Sequence, residues 1–114
     1  MKLLIIDDST VNNIILQNLL EDMGYEVSSA LNAKDAFEII KEFSPDLILL
    51  DLMMPEISGF DLLRRFRKEK INIPVVIVSA FSGDEYIKKA KELGARDYLL
   101  KPVDKENLAS CIEG

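Results

Sequence analysis

Three carboxylates, a hydroxyl and an ammonium group lie at the ends of short apolar runs in this sequence. They belong to Asp7, Asp8, Asp51, Ser79 and Lys101. Carboxylates that share a small space repel each other, by roughly 4 kcal/mol for two unit charges about 4 Å apart at an effective dielectric near 20. We therefore expect either that some of their pKa values rise or that they bind a cation.

The available ligand types indicate which cation this is. The sequence has no histidine and one cysteine, so the candidate ligands are all oxygens. Oxygen ligands favour a hard ion, and we expect Mg²⁺ because it accepts few carboxylates and keeps several waters. A Mg²⁺ ion and an ammonium that face one carboxylate also suit phosphoryl transfer, since the cations neutralise charge while an aspartate oxygen attacks.

Five segments of strand length position these side chains. Four of them are continuous apolar runs, which is typical of strands buried on both faces of a sheet. The four runs are Leu3–Ile6, Leu47–Leu50, Val75–Val78 and Tyr98–Leu100. The fifth segment, Tyr25–Ala30, is less apolar and indicates an edge strand.

Helical patterns separate the strands. In the first, apolar residues recur at the three- and four-residue spacing of an apolar helix face, at Val11, Ile14, Ile15, Leu19 and Met23. Four further patterns have the same spacing, within Ala36–Phe43, Leu62–Phe66, Ile87–Leu93 and Leu108–Ile112. The sequence therefore predicts five helices that alternate with the five strands.

Strict alternation of this kind predicts an α/β fold, a doubly wound five-stranded parallel sheet with helices on both faces. An edge position for the second strand suits the flavodoxin-like strand order 2-1-3-4-5. Gly24 and Gly94 follow helical patterns, where we expect left-handed C-terminal caps. The same order places the first and third strands side by side, so that Asp7, Asp8 and Asp51 converge where such folds bind ligands.

Composition limits the remaining possibilities. A chain of 114 residues predicts a single domain over residues 1–114. The net charge of −6 argues against direct nucleic-acid binding, and no apolar run approaches the roughly 20 residues of a membrane span. A single cysteine, Cys111, permits no intrachain disulfide and favours a cytoplasmic location.

The sequence resembles a known family, the receiver domain of two-component response regulators, over nearly its whole length. Four motifs in the order and spacing of that family carry the resemblance: Asp7-Asp8, Asp51–Gly59, Ser79-Ala80 and Lys101-Pro102. The resemblance implies a phosphoacceptor switch that catalyses its own phosphorylation and dephosphorylation without turning over a separate substrate. It implies a histidine kinase or a histidine phosphotransfer domain as donor, an unidentified output partner, and a monomer or a phosphorylation-dependent homodimer.

The resemblance also implies roles for the acidic residues. Asp51 matches the phosphoacceptor, and Asp8 matches a direct Mg²⁺ ligand. Asp7 matches a ligand that acts largely through water, and Met53 matches the residue whose backbone carbonyl completes the ligand set. Asp51 would thus act both as a nucleophile and as a metal ligand.

The remaining roles concern signalling. Ser79 matches the hydroxyl that moves to bond the phosphoryl oxygen, and Lys101 matches the cation that pairs with it. Lys101-Pro102 resembles the cis peptide of the family, and Tyr98 matches its aromatic switch residue. The family reads out its state on the face formed by the fourth helix, the fifth strand and the fifth helix, and we expect the same here.

Two other functions fit parts of the pattern. A Mg²⁺-dependent phosphohydrolase with an aspartate nucleophile also uses a doubly wound sheet, but it resembles Asp-x-Asp at the nucleophile, whereas Met53 stands two residues after Asp51. A flavodoxin-like nucleotide binder needs an anion-binding turn after the first strand, yet Asp7 and Asp8 occupy that place and the first glycine is Gly24.

Overall fold

The computed structural model describes residues 1–113, and five strands alternate with five helices along them. In chain order the elements are β1 Lys2–Ile6, α1 Thr10–Asp22, β2 Glu26–Ala30, α2 Ala33–Phe43, β3 Leu47–Asp51, α3 Gly59–Lys68, β4 Val75–Ser79, α4 Asp84–Glu92, β5 Asp97–Leu100 and α5 Lys105–Glu113. The single domain over residues 1–114 stays a prediction, and its last residue, Gly114, lies outside the described residues.

All neighbouring strands pair in parallel, in the order β2-β1-β3-β4-β5. This confirms the predicted fold class and strand order, and it places β2 at an edge as its weaker apolar character indicates. Ile6 of β1 lies opposite Leu50 of β3 in the register, so the residues that follow them, Asp7 and Asp51, lie at the same level at the carboxyl edge of the sheet. The central strand pair therefore fixes where two of the carboxylates lie.

The sheet separates two apolar layers. Leu4 and Ile6 of β1 face the layer that includes α2, α3 and α4, whereas Leu3 and Ile5 face the layer that includes α1 and α5. These four side chains are almost fully buried, and each contributes about 1.5–3 kcal/mol of stability by leaving water. Burial on both faces explains why the strands are continuous apolar runs.

Two glycines take the backbone conformation expected at helix ends. Gly24 has φ 95° and Gly94 has φ 99°, which confirms the predicted left-handed positions. Strand boundaries differ by one residue from the prediction, because β3 includes Asp51 and β4 includes Ser79. Both functional candidates are therefore held by ladder hydrogen bonds at the last residue of a buried strand.

Helix α1 exists where the pattern predicts it, and Leu19 and Met23 pack against the core as expected, but the pattern indicates the wrong face in the first half of the helix. Val11, Ile14 and Ile15 are each more than half exposed. The buried residues of the helix are Asn13 and Leu20. The physical reason is that α1 has more aliphatic residues than one core-facing stripe can hold, so spacing alone does not identify which stripe faces the sheet.

Helix α3 begins in close contact with the end of β3. A Cβ atom on Gly59 would lie 2.7 Å from the Asp51 carbonyl oxygen and 2.8 Å from the Leu52 Cα atom. The Gly59 N–H donates a hydrogen bond of 2.7 Å to the Leu52 carbonyl. Glycine is therefore required here by space, and its contact secures the backbone beside Asp51.

Within residues 1–113, no helix is both long and apolar enough to cross a membrane.

Candidate functional site

The carboxyl edge of the sheet brings the three candidate carboxylates together. One oxygen from each of Asp7, Asp8 and Asp51 lies within 4.8 Å of the others. Asp7 and Asp51 are buried and Asp8 is exposed, so the cluster opens to solvent on the Asp8 side. The result is an acidic pocket able to hold a metal ion through oxygen ligands.

Every polar group of Asp7 takes part in a hydrogen bond. Its N–H donates to the Ala30 carbonyl at 3.1 Å, and its Oδ1 accepts a hydrogen bond of 2.9 Å from the Ser9 N–H. Its Oδ2 accepts from Lys101 Nζ at 3.2 Å and from Asn12 Nδ2 at 3.5 Å, and its carbonyl accepts from Asn13 Nδ2 at 2.9 Å. The first carboxylate of the pair is thus rigidly placed before any ligand binds.

Lys101 supplies the positive charge of the site. Its Nζ lies 3.2 Å from Asp7 Oδ2 and 3.5 Å from Asp51 Oδ1, so the ammonium bridges the two buried carboxylates. It follows β5 directly, and its own N–H donates to the Ser79 carbonyl at 2.8 Å. The Lys101-Pro102 peptide bond is cis, as the resemblance implies.

The bridging lysine does not fully compensate the charge of Asp51. Burial, followed by the neighbouring charge of Asp7, raises the pKa of the Asp51 carboxyl above its ordinary value of 3.8. Lys101 and a backbone hydrogen bond from Met53 act in the opposite direction but do not cancel the rise. A further cation at the cluster would relieve this unfavourable ionisation.

Ser79 and Tyr98 both contact the peptide groups of one residue, Phe81. Ser79 is fully buried at the end of β4, and its Oγ accepts a hydrogen bond of 3.1 Å from the Phe81 N–H. The Tyr98 hydroxyl donates to the Phe81 carbonyl at 2.7 Å. The Phe81 ring in turn packs on Tyr86, with ring centroids 5.4 Å apart. Serine, tyrosine and the loop that precedes α4 are therefore physically connected.

Not every candidate lies among the carboxylates. The Tyr98 hydroxyl is engaged by Phe81, away from the acidic cluster. Met53 is 55% exposed and Phe81 is 39% exposed, so both residues face solvent instead of the core. The backbone of Met53 acts on Asp51 through the hydrogen bond named above, which lowers the pKa of the Asp51 carboxyl.

An apolar groove of about 400 Å³ runs from the site along α1. At one end it is lined by Asp51 and Lys101, and along its length by Ile15 of α1 and by Pro102 and Val103 after β5. Ile15, an exposed aliphatic residue of α1, thus continues the apolar surface outward from the carboxylates.

Two residues at the site were missed by sequence reasoning. Asn12 and Asn13 both donate hydrogen bonds to Asp7, one to its side chain and one to its carbonyl. The signal that could have indicated them is compositional, because two adjacent asparagines are weak helix formers inside a predicted helix. Their partner could not be inferred without the position of α1 on the sheet.

Comparisons with known proteins agree with this geometry. The profile of the family described as "Response regulator receiver domain" matches residues 3–113. Protein PilH of Pseudomonas aeruginosa is 38% identical over 113 residues, which is 97% of this chain and 93% of that protein. Sporulation initiation phosphotransferase F of Bacillus subtilis is 33% identical over 112 residues, 98% of this chain and 90% of that protein.

A solved structure and two longer relatives complete the comparison. A two-component response regulator from Clostridium difficile superimposes with a TM-score of 0.91 at 30% identity, over 99% of this chain and 93% of that one. Other relatives are much longer: the chain spans 46% of a probable transcriptional regulator of Porphyridium aerugineum and 25% of the transcriptional regulatory protein ZraR of Escherichia coli.

These findings fit the receiver interpretation and do not fit the phosphohydrolase alternative. The family profile, the relatives and the fold show that this chain belongs to the response regulator receiver family, the phosphoacceptor switch domains of two-component signalling systems.

Proposed function

We propose that Asp51 accepts the phosphoryl group and that Asp7, Asp8, Asp51 and the Met53 carbonyl hold the Mg²⁺ ion that this reaction needs. The observation that carries the proposal is the grouping of three carboxylate oxygens within 4.8 Å, with the Lys101 ammonium 3.5 Å from Asp51. The donor set fits Mg²⁺, since it consists of hard oxygen ligands on rigid strand ends.

In the proposed reaction an Asp51 oxygen forms a bond to phosphorus while the phosphorus–nitrogen bond of a phosphohistidine breaks. The electron pair of that bond stays with the imidazole nitrogen, and the product is an acyl phosphate on Asp51. Lys101, already in contact with Asp51, pairs with the arriving phosphoryl oxygens. When bound, Mg²⁺ supplies the remaining charge neutralisation.

The same site accounts for self-dephosphorylation. Attack of water on phosphorus breaks the bond to the Asp51 oxygen, releases inorganic phosphate and restores the carboxylate. No separate substrate is turned over, so the activity of the domain is limited to its own phosphorylation and hydrolysis. A small phosphodonor can replace the protein donor in this scheme because the chemical groups are all within the domain.

In this proposal, Phe81 transmits the conformational effect of phosphorylation to the surface. Once the Ser79 hydroxyl turns to the phosphoryl group, it no longer accepts a hydrogen bond from the Phe81 N–H, whose present length is 3.1 Å. The Tyr98 hydroxyl is bonded to the carbonyl of the same residue, so the position of Tyr98 follows that of the loop. The signal then appears on the face of α4, β5 and α5 as a shift between two states.

The donor docks on α1 in this proposal. A phosphohistidine must reach the buried Asp51, so the protein that carries it covers the surface beside the site. That surface is the apolar groove, which Ile15 and Val103 line and which ends at Asp51. A histidine kinase or histidine phosphotransfer domain with a matching apolar helix is the partner, and the cytoplasm is the location. The output partner and a monomeric or phosphorylation-dependent dimeric state stay predictions.

Mass spectrometry after incubation with phosphoramidate and Mg²⁺ tests the proposal. We expect one phosphoryl group per chain, stable in acid and labile in base, because an acyl phosphate has that reactivity. Asp51→Asn should abolish the adduct, since an amide oxygen is a poor nucleophile. Asp22→Asn, at the exposed end of α1, is the matched control and should be labelled like the wild type.

Two results would contradict the proposal. One is a phosphoryl adduct on Asp51→Asn that is as stable in acid as the adduct on the wild type. The other is release of many equivalents of phosphate per chain on the time scale of labelling, which would indicate a phosphohydrolase.

A further inference from the structure

Asn13 is a buried amide within α1. Its side chain is only 3% exposed, whereas its neighbours Asn12 and Ile14 face solvent. Asparagine is a weak helix former, and a buried amide is unfavourable unless its polar atoms have partners. The presence of an asparagine at a core-facing position of this helix therefore requires a physical reason.

The amide nitrogen of Asn13 has a specific partner. Nδ2 donates a hydrogen bond of 2.9 Å to the Asp7 carbonyl, and a long one of 3.5 Å to the Ala30 carbonyl. The Asp7 carbonyl belongs to the planar peptide that joins Asp7 to Asp8. Fixing that oxygen fixes the plane of the peptide, and with it the direction in which Asp8 leaves the strand.

Asp8 depends on this constraint more than Asp7 does. The Asp7 side chain is bound by Ser9, Asn12 and Lys101. The Asp8 side chain is exposed and makes no hydrogen bond to a side chain or backbone group within residues 1–113. The backbone is consequently what places the Asp8 carboxylate within reach of the other two.

Stability does not explain the amide. The Asn13 oxygen, Oδ1, is buried without a hydrogen-bond partner, the single such side-chain atom among the described residues. An unsatisfied buried acceptor destabilises a fold, and this penalty opposes the stability that comes from the hydrogen bond between Nδ2 and the buried Asp7 carbonyl. The two effects offset each other, and the one strong bond of the amide leads to the acidic pair.

We infer that Asn13 is a positioning residue of the metal site, which holds the Asp7-Asp8 peptide so that the Asp8 carboxylate points into the cluster. The inference rests on the Mg²⁺ binding proposed above. Asn13 itself does not contact the ion in this proposal. Its substitution should therefore change the affinity of the site for Mg²⁺ independently of the stability of the fold.

Calorimetric titration with Mg²⁺ and chemical unfolding in EDTA test this separation on the unphosphorylated chain. We expect Asn13→Leu to unfold in EDTA with a free energy close to that of the wild type, because the loss of the unsatisfied Oδ1 acceptor offsets the loss of the hydrogen bond to the Asp7 carbonyl. Its dissociation constant for Mg²⁺ should rise about tenfold, the lower end of the effect of changes behind a metal ligand. Asn18→Leu, on the exposed side of the same helix, is the control and should keep wild-type affinity.

Asn13→Ala, measured in the same way, replaces Asn13→Leu if the leucine variant does not fold, and it should show the same loss of affinity. A wild-type dissociation constant in the folded variant, with or without a loss of stability, would overturn the inference, because the amide would then be merely structural. Failure of the wild-type chain to bind Mg²⁺ is a distinct result that would contradict the proposed function itself.

Discussion

We expect the side chains of Met53 and Phe81 to limit the access of water to an acyl phosphate on Asp51. They stand two residues after Asp51 and two residues after Ser79, and both side chains are exposed. Hydrolysis needs a water molecule beside the phosphorus atom, and bulky apolar side chains disfavour water there. We therefore expect the side chains at these two positions to influence the lifetime of the phosphorylated state.

Polar replacements at these two positions should shorten that lifetime. In Met53→Asn with Phe81→Glu we expect phosphate loss about tenfold faster than in the wild type, equivalent to about 1.4 kcal/mol in the barrier. The measurement is decay of the labelled protein after the phosphodonor is removed. Val11→Asn, which changes an exposed aliphatic residue elsewhere, should decay at the wild-type rate. An unchanged rate in the double variant would contradict the shielding hypothesis.

Strands were more predictable than helix faces. A parallel strand buried on both sides is visible as a continuous apolar run, and the residue that ends it must lie at the carboxyl edge, so the convergence of Asp7, Asp8 and Asp51 followed from the sequence. For α1 the period was right, but Val11, Ile14 and Ile15 face solvent. Which stripe faces the sheet depends on tertiary packing, and the contacts of Asn13 depend on it too.

The exposed face of α1 leads to a prediction about the protein donor. Ile15→Asp places a charge in the apolar groove that runs to Asp51, so transfer from a phosphorylated histidine phosphotransfer domain should slow by about tenfold or more. Labelling by phosphoramidate should be unchanged, because a small donor needs no docking surface. Rapid-quench transfer assays with both donors make the comparison.

Ile14→Asp provides the control for that experiment, since Ile14 is an exposed aliphatic residue of the same helix that does not line this groove. It should affect neither donor. If Ile15→Asp slows labelling equally with both donors, the substitution damages the site itself. If its rates with both donors are the same as those of the wild type, the protein donor docks elsewhere.

Stability of the whole molecule depends on the charge at this one edge of the sheet. The chain has a net charge of −6, and its described residues bury Asp7 and Asp51 beside each other with only Lys101 bridging them. Because the folded state raises the pKa of Asp51, it binds a proton more tightly there than the unfolded chain does. The stability associated with Asp51 is therefore fully present below its ordinary pKa of 3.8 and is lost as pH rises through the raised value.

Thermal unfolding of wild type and Asp51→Asn, with and without Mg²⁺, tests this account. In EDTA at about pH 7 we expect the variant to melt higher than the wild type, and the difference should shrink as the pH falls through the raised pKa of Asp51, because the folded wild type then holds Asp51 protonated. Mg²⁺ at about ten times its dissociation constant should stabilise the wild type by about 1.4 kcal/mol, or about 6 °C, and the variant by less. Asp22→Asn should respond to pH and Mg²⁺ like the wild type, because Asp22 is exposed at the far end of α1.

Two outcomes would contradict this account. If Asp51→Asn melts below the wild type in EDTA, the bond between Lys101 and Asp51 outweighs burial and repulsion. If Mg²⁺ does not change the melting temperature of the wild type, the carboxylates tolerate each other without a cation.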